Sequence, residues 1–164
     1  SKNISIYQLN EETGIIKKLN SYDGIPSDKN LLNESLAEGN DLFDEDDFLG
    51  AIAIWQKALD LIVDPNEDWN EVLWLNVSIG DSFYMIDEYE KSLDSLLDAL
   101  NYPEANENAF IHFRIGQCYY QLGDKDSSKN SLLKAYMLSG KEIFEEHEEE
   151  GLFFYGFLSS VINF

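Results

Sequence analysis

Ile115-Gly116-Gln117-Cys118-Tyr119-Tyr120, continued by Leu122-Gly123-Asp124-Lys125 and by Ser128, Leu132 and Ala135, is the stretch from which the rest of this chain is read. It recurs twice upstream. Ile79-Gly80-Asp81-Ser82-Phe83-Tyr84 is followed by Glu88-Tyr89, Ser92, Leu96 and Ala99. Glu38-Gly39-Asn40-Asp41-Leu42-Phe43 is followed by Asp47-Phe48, Ala51, Trp55 and Ala58. In each copy the first small residue (Ala51, Ser92, Ser128) stands at one fixed distance after the glycine, and the second (Ala58, Ala99, Ala135) at another. Apolar residues three and four apart give every segment the stripe of an amphipathic helix. A glycine facing small residues lets two antiparallel helices approach closely, and the aromatic residues fill the space between one pair and the next. Asp87, with Glu90 completing a capping box, and Asp124 are the expected caps of the second helices in copies two and three. Pro65 and Pro103 are expected beyond the ends of second helices, where proline cannot continue the helix.

The pattern resembles the tetratricopeptide repeat (TPR), with its large apolar–Gly–x–x–aromatic first helix and aromatic–x–x–Ala–x–x–x–aromatic–x–x–Ala second helix. Ile115 to Asp124 is nearly the family consensus, and copy one departs from it where Glu38 replaces a large apolar residue. The spacing of the anchor glycines exceeds the usual ~34 residues. The surplus falls in the connections at 63–68 and 104–107. The resemblance implies an all-α fold, a right-handed superhelix of three TPR helix pairs over residues 29–140. Residues 141–164 then form a C-terminal capping region: a short helix at 141–147, then a final one from 148 rich in aromatic residues, which closes the exposed end of the stack as terminal repeats must. Residues 1–28 read as an N-terminal extension, either a β-hairpin with its turn at Asn10-Glu11-Glu12-Thr13-Gly14 or a short helix. Ser27 stands as a candidate N-cap of the first repeat.

The chain has 164 residues, 44% of them hydrophobic and 13% aromatic, enough for one packed domain. Its 32 acidic residues against 11 basic ones give a formal charge of −21. Such a field repels nucleic acid and anionic membranes and speeds the encounter with basic partners. No intrachain disulfide can form, because Cys118 is the single cysteine, which fits a reducing compartment. The sequence as it begins has no apolar signal segment, and no apolar stretch reaches membrane-spanning length, so the expected location is the cytoplasm.

No catalytic constellation is legible, and no metal or cofactor is expected. His112 falls within the first helix of copy three and reads as a packed histidine. His147, in Glu145-Glu146-His147-Glu148-Glu149-Glu150, lacks the His-Glu-x-x-His spacing of zinc proteases and reads as part of a charged surface. Asp44-Glu45-Asp46-Asp47 lacks the central glycine of a calcium loop. Cys118 takes a small-residue place and reads as packing. The glycines of the repeats sit inside helices, so they form no phosphate loop.

The resemblance places function on the concave face, lined by the first helix of each repeat. The family's groove positions carry over to Asn40, Phe43 and Asp44 in repeat one, with Asn33 and Leu36 beside them. In repeat two they fall on Trp74, Asp81 and Tyr84, with Val77 and Met85. In repeat three they fall on Phe110, Phe113, Arg114, Gln117 and Tyr120. Aromatic residues edged by polar ones suit interface anchors. The co-chaperone carboxylate clamp would fall on Leu36, Asn40, Ser78, Phe110 and Arg114. Only Asn40 and Arg114 keep the clamp's residue types, so an acidic tail is not the expected ligand. Leu133-Lys134-Ala135-Tyr136-Met137-Leu138-Ser139-Gly140-Lys141-Glu142-Ile143-Phe144 is similar to the C-terminal region of small acidic bacterial TPR immunity proteins. That resemblance implies a protein, monomeric or in a 1:1 complex with its partner, that neutralises a basic, nuclease-type toxin domain. The alternative is a TPR secretion chaperone, which holds an extended partner segment in the groove. Whether the groove is open or filled by the chain's own C-terminal helix stays undecided at this level.

Overall fold

The computed structural model describes residues 28–163 and two short strands, β1 (Ile6–Leu9) and β2 (Ile16–Leu19). The strands pair antiparallel, with Ile6 opposite Leu19 and Leu9 opposite Ile16, which selects the hairpin over the helix for the N-terminal extension. The turn at 10–14 and the Ser27 cap lie outside the described residues. Three antiparallel helix pairs follow: α1 (Asp28–Asp44) with α2 (Phe48–Asp60), α3 (Trp69–Met85) with α4 (Tyr89–Ala99), and α5 (Ala109–Gln121) with α6 (Lys125–Ser139). A short α7 (Glu142–Glu145) turns the chain into α8 (Glu148–Val161). Among the described residues no helix is long and apolar enough to cross a membrane. Pro65 and Pro103 lie in the connections after α2 and α4, the second containing a 3-10 turn at Ala105–Glu107.

The anchor glycines mark where the two helices of a pair touch. A Cβ on Gly80 would stand 2.8 Å from Leu96 Cγ, and one on Gly116 2.7 Å from Leu132 Cγ. At Gly39 it would run into the Trp55 indole. The small serines do more than leave room. Ser92 Oγ donates to Gly80 O at 2.6 Å, and Ser128 Oγ donates to Gly116 O at 2.7 Å, so the same cross-pair hydrogen bond recurs in two repeats. Ala51 stands in that place in repeat one, where Trp55 Nε1 instead donates to Leu36 O at 3.4 Å.

The turns inside the pairs correct one expectation. Asp47 caps α2 by accepting from Gly50 N at 2.9 Å, and Asp124 caps α6 by accepting from Ser127 N at 3.0 Å. Asp87 does not cap α4. The residue in register with Asp47 and Asp124 is Glu88, which makes no side-chain cap. Asp87 stands one place earlier with φ 62°, as Asp46 does at 62° and Gly123 at 89°. Asp tolerates this left-handed conformation better than most residues. Its carboxylate accepts from Tyr89 Oη at 2.8 Å instead, and burial together with that bond pushes the Tyr89 phenol up to about 12. The Glu90 capping box is therefore absent.

The core is strung along the array rather than gathered at one centre. Leu32, Ala51, Ile52, Trp55, Leu75 and Ile79 join the first pair to α3. A second cluster around Leu73, Val77, Leu96, Ile111, Ile115 and Cys118 joins the second pair to α5. A third, with Phe113, Leu132, Ile143, Phe144, Phe154 and Leu158, seats α7 and α8 on the last pair. Each helix pair thus buries its apolar face against its neighbour, as solenoids do. Cys118 is fully buried and burial pushes its thiol up to about 11, in keeping with packing.

Candidate partner-binding groove

The expected groove residues lie on α1, α3 and α5, and α8 packs over part of them while leaving those on α1 open. In the open part, Asn40, Phe43 and Asp44 of α1 face Ser78 and Asp81 of α3 across a cleft of about 340 Å³. Trp55 of α2 closes its base. Positions 40, 43 and 44 share a face because residues three and four apart align on a helix. Phe43 is held by an edge-on contact with Phe48 (ring centroids 5.1 Å apart) and by Trp55 (6.3 Å). Asn40 and Asp44 are exposed, and Trp74 is 44% exposed farther along α3. Four of the expected groove residues, Asn40, Phe43, Asp44 and Asp81, therefore meet in one accessible place.

In the middle of the groove the chain engages its own cation. The Arg114 guanidinium lies over the Tyr84 ring (4.2 Å to its centroid) and near the Phe110 ring (5.3 Å). It pairs with Asp81 Oδ1 at 2.7 Å and donates to Gln117 Oε1 at 2.9 Å. Burial raises the Asp81 carboxyl above its ordinary value, and Arg114 partly offsets the shift. Tyr84 Oη donates to Glu150 of α8, and burial followed by that bond raises the phenol well above its usual range.

The far end is covered by the chain itself. Phe113 is fully buried against Phe144 (5.4 Å), Phe154 (6.3 Å) and His147 (4.6 Å). Tyr120 meets Phe153, Phe154 and Phe157 of α8 at 5.4, 5.2 and 4.9 Å. Phe113 and Gln117 have no accessible surface, and Tyr84 and Arg114 retain about 5 and 6%. All four of these expected contact residues are buried: Phe113 and Tyr84 meet the C-terminal helix, Arg114 and Gln117 engage each other and Asp81, and Phe110 and Tyr120 are half-buried. The groove is thus half filled. The reading of His147 as charged surface is also corrected. It packs between Phe113 and Phe110, its Nδ1 is buried, and desolvation followed by Arg114 lowers its basicity. His112 is packed as expected, 4% exposed with Nε2 3.0 Å from Asn106 O. Trp55, His147 and Glu150 were missing from the expected groove, since their roles come from contacts remote in sequence.

No protein-family model matches the chain, and no curated protein sequence matches it significantly. Solved structures do match. PcrH from Pseudomonas aeruginosa superposes with a TM-score of 0.58 at 20% identity, covering 87% of this chain and 98% of PcrH. PcrH in complex with the chaperone binding region of PopB matches at 0.58 and 18%, covering 82 and 98%. MamA matches at 0.57 and 16%, covering 79 and 77%. The fold is of the TPR type. Identities this low carry the fold alone.

Proposed function

We propose that this TPR-type chain is a protein-binding module that holds an extended segment of a partner in the open part of its groove, in the manner of a chaperone. The observation that carries the reading is the accessible cleft between α1 and α3, where Asn40, Phe43, Asp44 and Asp81 converge. Similarity to PcrH, whose structure with the chaperone binding region of PopB is known, and to a chain of the CopN–Scc3 complex (TM-score 0.59, 17% identity, 82 and 78% covered) supports it. The net charge of −21 favours a basic client.

A second reading, an immunity protein binding a folded basic toxin domain, is favoured by the covered half of the groove, which leaves less concave surface for an extended segment. The stretch at 133–144 gives it weaker support, since Ala135, Ile143 and Phe144 are core residues. Proteolysis of the captured partner in complex separates the two. A short protected segment is expected. A protected folded domain would replace the chaperone reading with the immunity one.

A further inference from the structure

The groove already shows how it takes up one guanidinium. Arg114 lies over two aromatic rings, a carboxylate meets it at 2.7 Å and an amide oxygen at 2.9 Å. The cleft one step along the same face carries the same kinds of group. Phe43 supplies an aromatic face with the buried Trp55 ring behind it, Asp44 and Asp81 supply carboxylates, Asn40 supplies an amide oxygen, and Ser78 adds a hydroxyl. No basic side chain lines it. Asp81 belongs to both places, since one of its oxygens holds Arg114 and its residue also borders the cleft.

We infer that this cleft is a socket for a single arginine side chain presented by the partner segment. The stem lies along Phe43 and the guanidinium reaches the Asp44 and Asp81 carboxylates. This rests on the groove reading above and names the chemistry that the groove selects. Other side chains fit less well. An acidic one meets two carboxylates. A purely apolar one would strip water from them without giving a hydrogen bond in return. A lysine supplies the charge but neither the planar fork that matches a carboxylate nor the flat face that stacks on a ring. Arginine supplies all three, together with a long apolar stem that lies well on aromatic surface.

The test uses the full chain and a capped seven-residue peptide with one central arginine among leucine, serine and glycine. Binding is followed by calorimetry and by the Trp55 indole N–H signal in NMR. Replacing the arginine with citrulline, which keeps the shape and loses the charge, is expected to weaken binding at least tenfold, and lysine to weaken it less. Asp44→Asn should markedly reduce the difference between arginine and citrulline, with Asp81 sustaining what remains. Asp98→Asn, an exposed change on α4 away from the cleft, should leave it intact. Asp81 is left unchanged because it also holds Arg114. Equal binding of the arginine and citrulline peptides, equal effects of D44N and D98N, or no binding of either peptide would each overturn the socket. Self-association of the free chain that D44N abolishes would also overturn it, by assigning the cleft to a second copy. In all of these cases a protected short segment in the captured partner would leave the groove reading standing.

Discussion

Gly116 and Arg114 show how single residues hold this array. A methyl group on Gly116 meets Leu132 at 2.7 Å in a fully buried contact, so Gly116→Ala is expected to destabilise the chain by about 1–3 kcal/mol, the usual range for overpacking, read as a lowered urea midpoint. Arg114 pairs with Asp81 in the groove floor, and its loss removes that partner. Losing one member of a buried pair costs about 3–5 kcal/mol, and Asp81 keeps 20% exposure, so Arg114→Leu should cost about 2–3 kcal/mol. That loss should shrink as pH falls, because Asp81, already raised by burial, becomes neutral and no longer needs the cation. A constant loss across pH in urea titrations would mean that Arg114 acts through its ring contacts alone. Arg114 also bears on the clamp question. Its guanidinium is engaged by Asp81 and Gln117, so it offers little to an acidic tail.

At the scale of elements, the repeat was legible because each signature position solves a local packing problem that recurs. Glycine under Leu96 or Leu132 and serine bonded to the glycine carbonyl both leave a trace in spacing. The Asp87 cap was misplaced by one residue because Asp at the left-handed position and Asp at the cap look alike in sequence. Only the alignment of Asp47, Glu88 and Asp124 separates them. The half-filled groove was not legible. Aromatic residues on α5 and on α8 have the same apolar character whether they meet each other or a partner, and no spacing encodes which. The joint between α7 and α8 should respond to acid. His147 faces Phe110, Phe113, Arg114, Asp81, Glu146 and Glu150, and its folded basicity is lowered, as is that of His112. A base lowered on folding contributes stability that is fully present above its unfolded pKa, about 6.5, and is lost as pH falls toward the folded value. Stability should therefore drop between pH 7.5 and 5.5, and His147→Phe should reduce the drop. An unchanged pH profile in that variant would place the effect elsewhere.

For the whole molecule, the charge of −21 is a long-range property and acts mainly on encounter. Association with a basic partner should slow markedly between low and 0.5 M salt, since screening shortens the reach of the field to a few ångströms. Dissociation should change less, because it is governed by the contacts in the cleft. Stopped-flow rates at several salt concentrations would separate the two. The position of α8 has a consequence of another kind. From α1 to α8 the accessible face spans about two helix spacings, on the order of 20 Å. An extended chain covers that distance in about six residues. The molecule would then select by length as well as by composition. A client segment of six residues lies flat, while a longer one must turn away where Glu150 and Phe153 stand, and trimming a bound client with protease should leave a fragment of about that size.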